Sequence, residues 1–234
     1  IEVTQFKGDS ETHPLISPDD SYANFERGWF DTLNRARDDS LGVKIDKAER
    51  SHARSVLKKG LNMKKEFGVN PFKFGVIGST DTHTGLSTAE EDNFWGKMAY
   101  EEPSQYRAMG MTMNMGASGL AAVWATENTR ESIFASIRRR EVYATTGTRI
   151  SLRFFGGWSF TKTDIDKANF AEIGYQKGVP MGGDLYRINE KRAPSFLVVA
   201  SKDPMEANLD RIQVIKGWQD QSCLLYTSPS PRDA

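Results

Sequence analysis

The chain has 234 residues, 38% of them hydrophobic and 26% charged, the make-up of a soluble globular protein with one large domain or two modest ones. Lys plus Arg and Asp plus Glu each number 31, so the net charge is zero and nothing argues for nucleic acid or an anionic membrane as partner. No apolar run approaches the ~20 residues of a membrane helix.

Ile1 to Phe6 alternates in polarity, is rich in β-formers and reads as a strand. Because the chain opens on Ile1 inside that strand, the true N-terminus is expected further upstream, which leaves a signal peptide and the cellular location undetermined. The loop Lys7-Gly8-Asp9-Ser10-Glu11-Thr12-His13-Pro14 follows, with an acid and an imidazole two apart, Glu11 and His13. A plain surface turn closed by Pro14 is the alternative to a ligand pair. Pro18 marks a helix start, and Tyr22, Phe25, Trp29, Phe30 and Leu33 suit a short helix or an aromatic-lined loop. Residues 35–50 are charged and irregular and read as an exposed connection. From Ser51 to Phe67 a helix is expected, with Ala53, Val56, Leu57 and Leu61 as its apolar stripe and Gly68 as its C-cap. His52, on its opening turn, reads as structural or solvent-exposed. Asn70-Pro71 turns the chain into a strand over Lys73–Gly78, which completes a parallel crossover unit.

That strand runs into Ser79-Thr80-Asp81-Thr82-His83-Thr84-Gly85. In an extended segment residues i and i+2 point the same way, so Asp81 and His83 reach one point from the strand's mouth. A carboxylate and a neutral imidazole converging there form half of a metal site. A turn-capping Asp81 beside a surface His83 is the plainer alternative; the preceding strand, the glycines and the four hydroxyl side chains favour the site. The only cysteine, Cys223, lies near the C-terminus, so the rest of the chain holds no disulfide, thiolate nucleophile or cysteine ligand.

Residues 86–115 are polar and aperiodic. Glu90, Glu91 and Asp92 would fold over a site or form a solvated turn, and the methionines at 109, 111, 113 and 115 suit a mobile lid. Gly119–Trp124 reads as a strand, Asn128 and Glu131 as a capping box, and Ile133, Phe134 and Ile137 as the stripe of a helix closed by Arg138-Arg139-Arg140. A strand over 141–145 leads into the polar loop Thr146-Gly147-Thr148-Arg149. Lys7 and Arg149 are the candidate binders of an anionic substrate group.

After Ile150 the helical periodicity fades. Strands are expected at 150–155, 196–201 and 211–216, with no convincing helix between them, in a β-rich, sandwich-like module. The organisation expected is therefore 1–150 as an α/β layer with parallel strands, 151–222 as an incomplete antiparallel module, and 223–234 as a disordered tail. That tail, Cys223-Leu224-Leu225-Tyr226-Thr227-Ser228-Pro229-Ser230-Pro231-Arg232-Asp233, resembles the translation of a sequencing-library adapter.

Ile1-Glu2-Val3-Thr4-Gln5, a helix, and Val76-Ile77-Gly78-Ser79-Thr80-Asp81-Thr82-His83 resemble the closing motifs of the PHP (polymerase and histidinol phosphatase) superfamily, whose members end a strand in Gly-Ser-Asp-x-His or close to it. Together with Asn70-Pro71-Phe72-Lys73-Phe74-Gly75, Glu90-Glu91-Asp92-Asn93-Phe94 and Leu209-Asp210-Arg211-Ile212-Gln213, they resemble the PHP-like domain-of-unknown-function 3604 family up to about Asp220. The resemblance implies an α/β fold, the C-terminal part of a distorted (β/α) barrel, holding two or three divalent metals. It also implies hydrolysis of a phosphoester or related ester, with a small molecule as substrate. Asp81 and His83 match the superfamily's late Asp-x-His ligands. Glu11 and His13 have no secure counterpart in it, and the early His-x-His pair is absent from residues 1–234, so the fragment alone is expected to be inactive.

On this reading a water activated by clustered cations attacks the ester. Histidine and carboxylate ligands suit Zn, Mn or Fe without choosing among them. The alternative class is a non-catalytic metal- or carbohydrate-binding protein, for which exposed Trp158 and Trp218 would be the cue.

Overall fold

The computed structural model describes residues 1–25, 27, 40–86, 98, 105, 106, 116–188, 192–219 and 225–230, the last of these for the backbone only. The aromatic segment at Trp29, Phe30 and Leu33, the acidic run 90–92, the methionines at 109–115 and Cys223 lie outside the described residues.

The N-terminal sheet has the order β2-β1-β3, built from β1 (Glu2–Gln5), β2 (Gly8–Asp9) and β3 (Ile77–Gly78). β1 and β2 form an antiparallel hairpin, while β1 and β3 run parallel, as the crossover required. Among the described residues the crossover carries two helices, α1 (Leu41–Ser51) and α2 (Ala53–Phe67). α1 corrects the expected irregular connection. Its charges are a solvated face, it buries Ala48, and Ser40 caps it by accepting the Val43 N–H. α2 ends at Gly68 in the left-handed conformation, φ 77°, as the glycine predicted. The expected stripe is only partly buried, because Leu57 is exposed; the buried positions are Ala53, Ser55 and Gly60. Gly60 lies under Asn70, whose amide would meet any Cβ there.

β4 (Gly119–Val123) and β5 (Val142–Thr146) pair antiparallel around α3 (Arg130–Arg139), so the parallel order expected throughout 1–150 stops at β3. The cap of α3 is Thr129, one residue beyond the expected Asn128, with its hydroxyl accepting the Ser132 N–H. The side chain that α3 buries fully is Ser136, whereas Phe134 and Ile137 are exposed.

A third sheet, β7-β6-β8, joins β6 (Ser151–Gly157), β7 (Gly178–Pro180) and β8 (Ser195–Ser201) antiparallel. Between β6 and β7 lies α4 (Phe170–Lys177), a helix that the sequence reading did not anticipate. Only two turns long, it shows little periodicity. It forms because it buries Ile173 and because Gly174 packs on Phe155, whose ring stands edge-on to Tyr175 at 5.1 Å.

β9 (Val214–Gln219) pairs with β10 (Leu225–Ser230), which lies in the tail expected to be disordered. This hairpin does not extend the β6–β8 sheet. It reaches back to α2, where Gln219 Nε2 donates to Asn62 Oδ1 at 2.7 Å, and just before the hairpin Gln213 Nε2 donates to Asp20 Oδ1, in the segment before α1, at 3.2 Å. Among the described residues the architecture is mixed α/β, with small sheets and no closed barrel. No helix among them is long and apolar enough to cross a membrane.

Candidate functional site

Asp81 and His83 come together, by a route that strand alternation does not describe. β3 ends at Gly78, and Asp81 adopts a left-handed conformation, φ 57°, which Asp tolerates better than most residues. Hydroxyls brace the surrounding loop: Thr80 accepts the Thr82 N–H at 3.2 Å and Thr84 accepts the Leu86 N–H at 3.1 Å. The resulting turn sets His83 Nε2 3.4 Å from Asp81 Oδ1. The imidazole is half exposed and the carboxylate is about one-fifth exposed. Lys7, at the tip of the β1–β2 hairpin, completes the group with Nζ 2.7 Å from Asp81 Oδ2.

Two close backbone approaches hold the strand ends in register. A Cβ on Gly119 would lie 2.2 Å from Thr4 O and 2.7 Å from Ser79 N. Ser79 N–H donates to Thr4 O at 3.0 Å, and the Ser79 hydroxyl donates to the Glu2 carboxylate. Thr4 and Thr146 share a hydrogen bond of 2.8 Å between their hydroxyls. A cleft of about 290 Å³ follows the hairpin, lined by Glu2, Thr4, Lys7, Asp9 and Ser10 among others.

Glu11 and His13 have other partners. The side chain of His52, at the N-cap of α2, makes no capping bond, and the helix is closed instead by the hairpin loop: the Ala53 and Arg54 N–H groups donate to Ser10 O and Glu11 O at 2.9 and 3.0 Å. This contact brings Glu11 Oε1 onto the Arg54 guanidinium at 2.9 and 2.7 Å. His13 is buried, 4% exposed, accepts the Leu15 N–H on Nδ1 at 3.0 Å, and meets His52 edge-on at 5.7 Å between ring centroids. His52 is likewise buried and donates from Nδ1 to Ala48 O at 2.8 Å, which makes it structural. Among the described residues no three His, Cys, Asp or Glu side chains gather closely enough to hold one metal ion. Arg149 lies in the loop after β5, its backbone N–H on Asp203 Oδ2 at 2.8 Å.

The residues that sequence reasoning passed over are Asp9, Asp20 and Arg54. Burial pushes the Asp9 carboxyl up to about 6, against the pull of Arg27 3.8 Å away, and its Oδ2 has no hydrogen-bond partner. Asp20 is buried too, yet the hydrogen bonds from Arg54, the Tyr22 N–H and Gln213 hold its carboxyl below the usual range. One signal pointed to Arg54: a cation in a helix's first turn opposes the macrodipole, so an acidic partner is to be expected there.

A family model described as a protein of unknown function, DUF3604, matches residues 1–225. The chain belongs to the DUF3604 family. No curated protein and no solved structure matches it. The DUF3604 match takes in every residue of the Asp81–His83–Lys7 group.

Proposed function

We infer that this chain carries part of a metal-dependent hydrolase site of the PHP type, acting on a phosphoester or related ester. The observation that supports it is the 3.4 Å separation of Asp81 Oδ1 and His83 Nε2. Two ligands on one metal, each at about 2.0–2.2 Å, stand roughly 3–4 Å apart. A carboxylate and an imidazole fit a divalent cation such as Zn, Mn or Fe chemically, with water or substrate to complete its coordination. Asp81 and His83 are kept as the ligands of this reading. Glu11 is left to Arg54, and His13 to its buried contact with His52. Sheets β2-β1-β3 and β4-β5 are read as an arc of the PHP-type barrel.

A bound divalent cation supplies Lewis acidity and a water acidic enough to ionise near neutral pH. The chain's own residues do the rest. The left-handed turn at Asp81 sets its carboxylate near His83, the hydroxyl-braced loop holds the imidazole beside it, and Lys7 adds a positive charge for an anionic substrate group. Trp158 and Trp218 do not favour a carbohydrate-binding surface: both are half-buried, with the Trp158 indole N–H on Tyr186 O at 3.0 Å and Lys216 over the Trp218 ring.

The test is hydrolysis of bis-p-nitrophenyl phosphate by the full-length protein, with and without chelator. Turnover that needs added metal, and that Asp81→Ala and His83→Ala each abolish while circular dichroism is unchanged, is the expected result. Chelator-resistant turnover, or full activity in either variant, would remove the reading.

A further inference from the structure

Among the described residues, Asp81 presents its carboxylate oxygens to two different groups. Oδ1 faces His83 Nε2 at 3.4 Å, and Oδ2 is held by Lys7 Nζ at 2.7 Å. The lysine comes from a different part of the sheet, the hairpin tip. There the Lys7 N–H donates to Gln5 Oε1 at 3.0 Å, and Gly8 at φ 123° fixes the turn. Its backbone is thus anchored while its side chain, 38% exposed, stays on a flexible stem at the protein surface. Among the described residues lining the hairpin cleft, Lys7 is the only cationic side chain, set beside the acids Glu2 and Asp9.

We propose that Lys7 stands in for the cation at Asp81, and that a divalent ion arriving at the Asp81–His83 pair displaces its ammonium toward an anionic group of the substrate. The proposal rests on the metal reading above and adds an exchange of partners to it. An ammonium 2.7 Å from the carboxylate already satisfies the charge that a metal would satisfy, so the two cations compete for one group. Once a divalent ion is present the two positive charges repel, and the lysine swings on its four-carbon stem into the cleft. A phosphate or carboxylate entering there meets it as a point charge. Lys7 thereby lowers the affinity for metal in the absence of substrate and raises the affinity for an anion in the presence of metal.

The chain has three histidines, at 13, 52 and 83, so their imidazole signals are few enough to assign. A Zn²⁺ titration of the intact chain followed on the His83 ring protons reads metal binding directly, without turnover. The His13 and His52 signals serve as references, and Asp81→Ala identifies the part of the response that depends on the site. Lys7→Met should bring the midpoint to about 2–5-fold lower Zn²⁺, the effect of removing an exposed ion pair, and Lys7→Arg should stay near the wild type. With Zn²⁺ saturating, methyl phosphate should broaden its ³¹P signal in the wild type and bind several-fold more weakly to Lys7→Met. Asp81-dependent binding that Lys7→Met leaves unchanged or weakens would overturn this proposal alone, since Lys7 would then be a prop for Asp81. A wild-type response equal to that of Asp81→Ala would overturn the metal reading and this proposal with it.

Discussion

Arg54 grips Glu11 Oε1 with two N–H groups, at 2.9 and 2.7 Å, and turns a third onto Asp20 Oδ2 at 2.6 Å. The two acids differ in burial: the Glu11 side chain is 54% exposed and that of Asp20 only 2%. This pairing joins the hairpin loop, the α2 N-terminus and the segment before α1, and it withdraws Glu11 from the Asp81–His83 group.

Arg54→Met should therefore be costly, because it leaves the Asp20 carboxylate buried without its main partner, a loss of about 3–5 kcal/mol. Glu11→Gln should cost no more than about 1 kcal/mol, as for an exposed ion pair. Urea denaturation of both variants checks the contrast; equal effects would mean that Asp20 is better hydrated than its burial indicates.

Asp9 should make the fold less stable as pH rises. Its carboxyl titrates at about 6 in the folded chain against 3.8 when unperturbed, so between those values the folded state holds more protons than the unfolded one. Stability is fullest below the lower value and falls through this window, by about 2–3 kcal/mol. Asp9→Asn keeps the oxygen that accepts the Glu11 N–H and removes the charge, so its unfolding free energy should stay flatter from pH 4 to 6 than that of the wild type. Parallel pH profiles for the two proteins would count against the assignment.

Asp164 should act in the opposite sense. The Lys177 ammonium, 2.8 and 2.9 Å from its oxygens, and the Thr161 N–H hold its carboxyl well below the usual range. A lowered carboxyl contributes stability above the unfolded value and loses it as pH falls through the folded one. Asp164→Asn should destabilise the protein at neutral pH and narrow its difference from the wild type under acid, as thermal melts at graded pH would show.

Gly119→Ala should loosen the strand ends that carry the site. The new methyl would press on Thr4 O, Ser79 N and Ser79 O, all backbone atoms with no rotamer to yield. Overpacking of this kind costs about 1–3 kcal/mol, sometimes more. Amide exchange should quicken at Ser79, whose N–H bonds to Thr4 O, before it changes in the β6–β8 sheet. Uniform acceleration across the chain would indicate global rather than local destabilisation.

Several elements were legible in the residues themselves because their signal is local. β1, the helix over 53–67 with its left-handed Gly68, and the segments that become β4, α3, β5, β6 and β8 all show in alternation, spacing or caps. Where local signal is weak or ambiguous, the residues misled. The charged α1 looked irregular because its buried face is small, and the two-turn α4 exists only through the packing of its own Gly174 and Tyr175 on Phe155 of β6. The pairing of Asp81 with His83 was expected from an extended strand, but it is made by a left-handed turn, a conformation that sequence alternation does not encode. Which cation meets which carboxylate was beyond the sequence altogether. Lys7 reaches Asp81, and Arg54 takes Glu11, because a parallel crossover lays the hairpin beside β3 and sets its loop on the first N–H groups of α2. Residue type supplied the chemistry at each position, while the backbone hydrogen bonds between distant segments chose the partners.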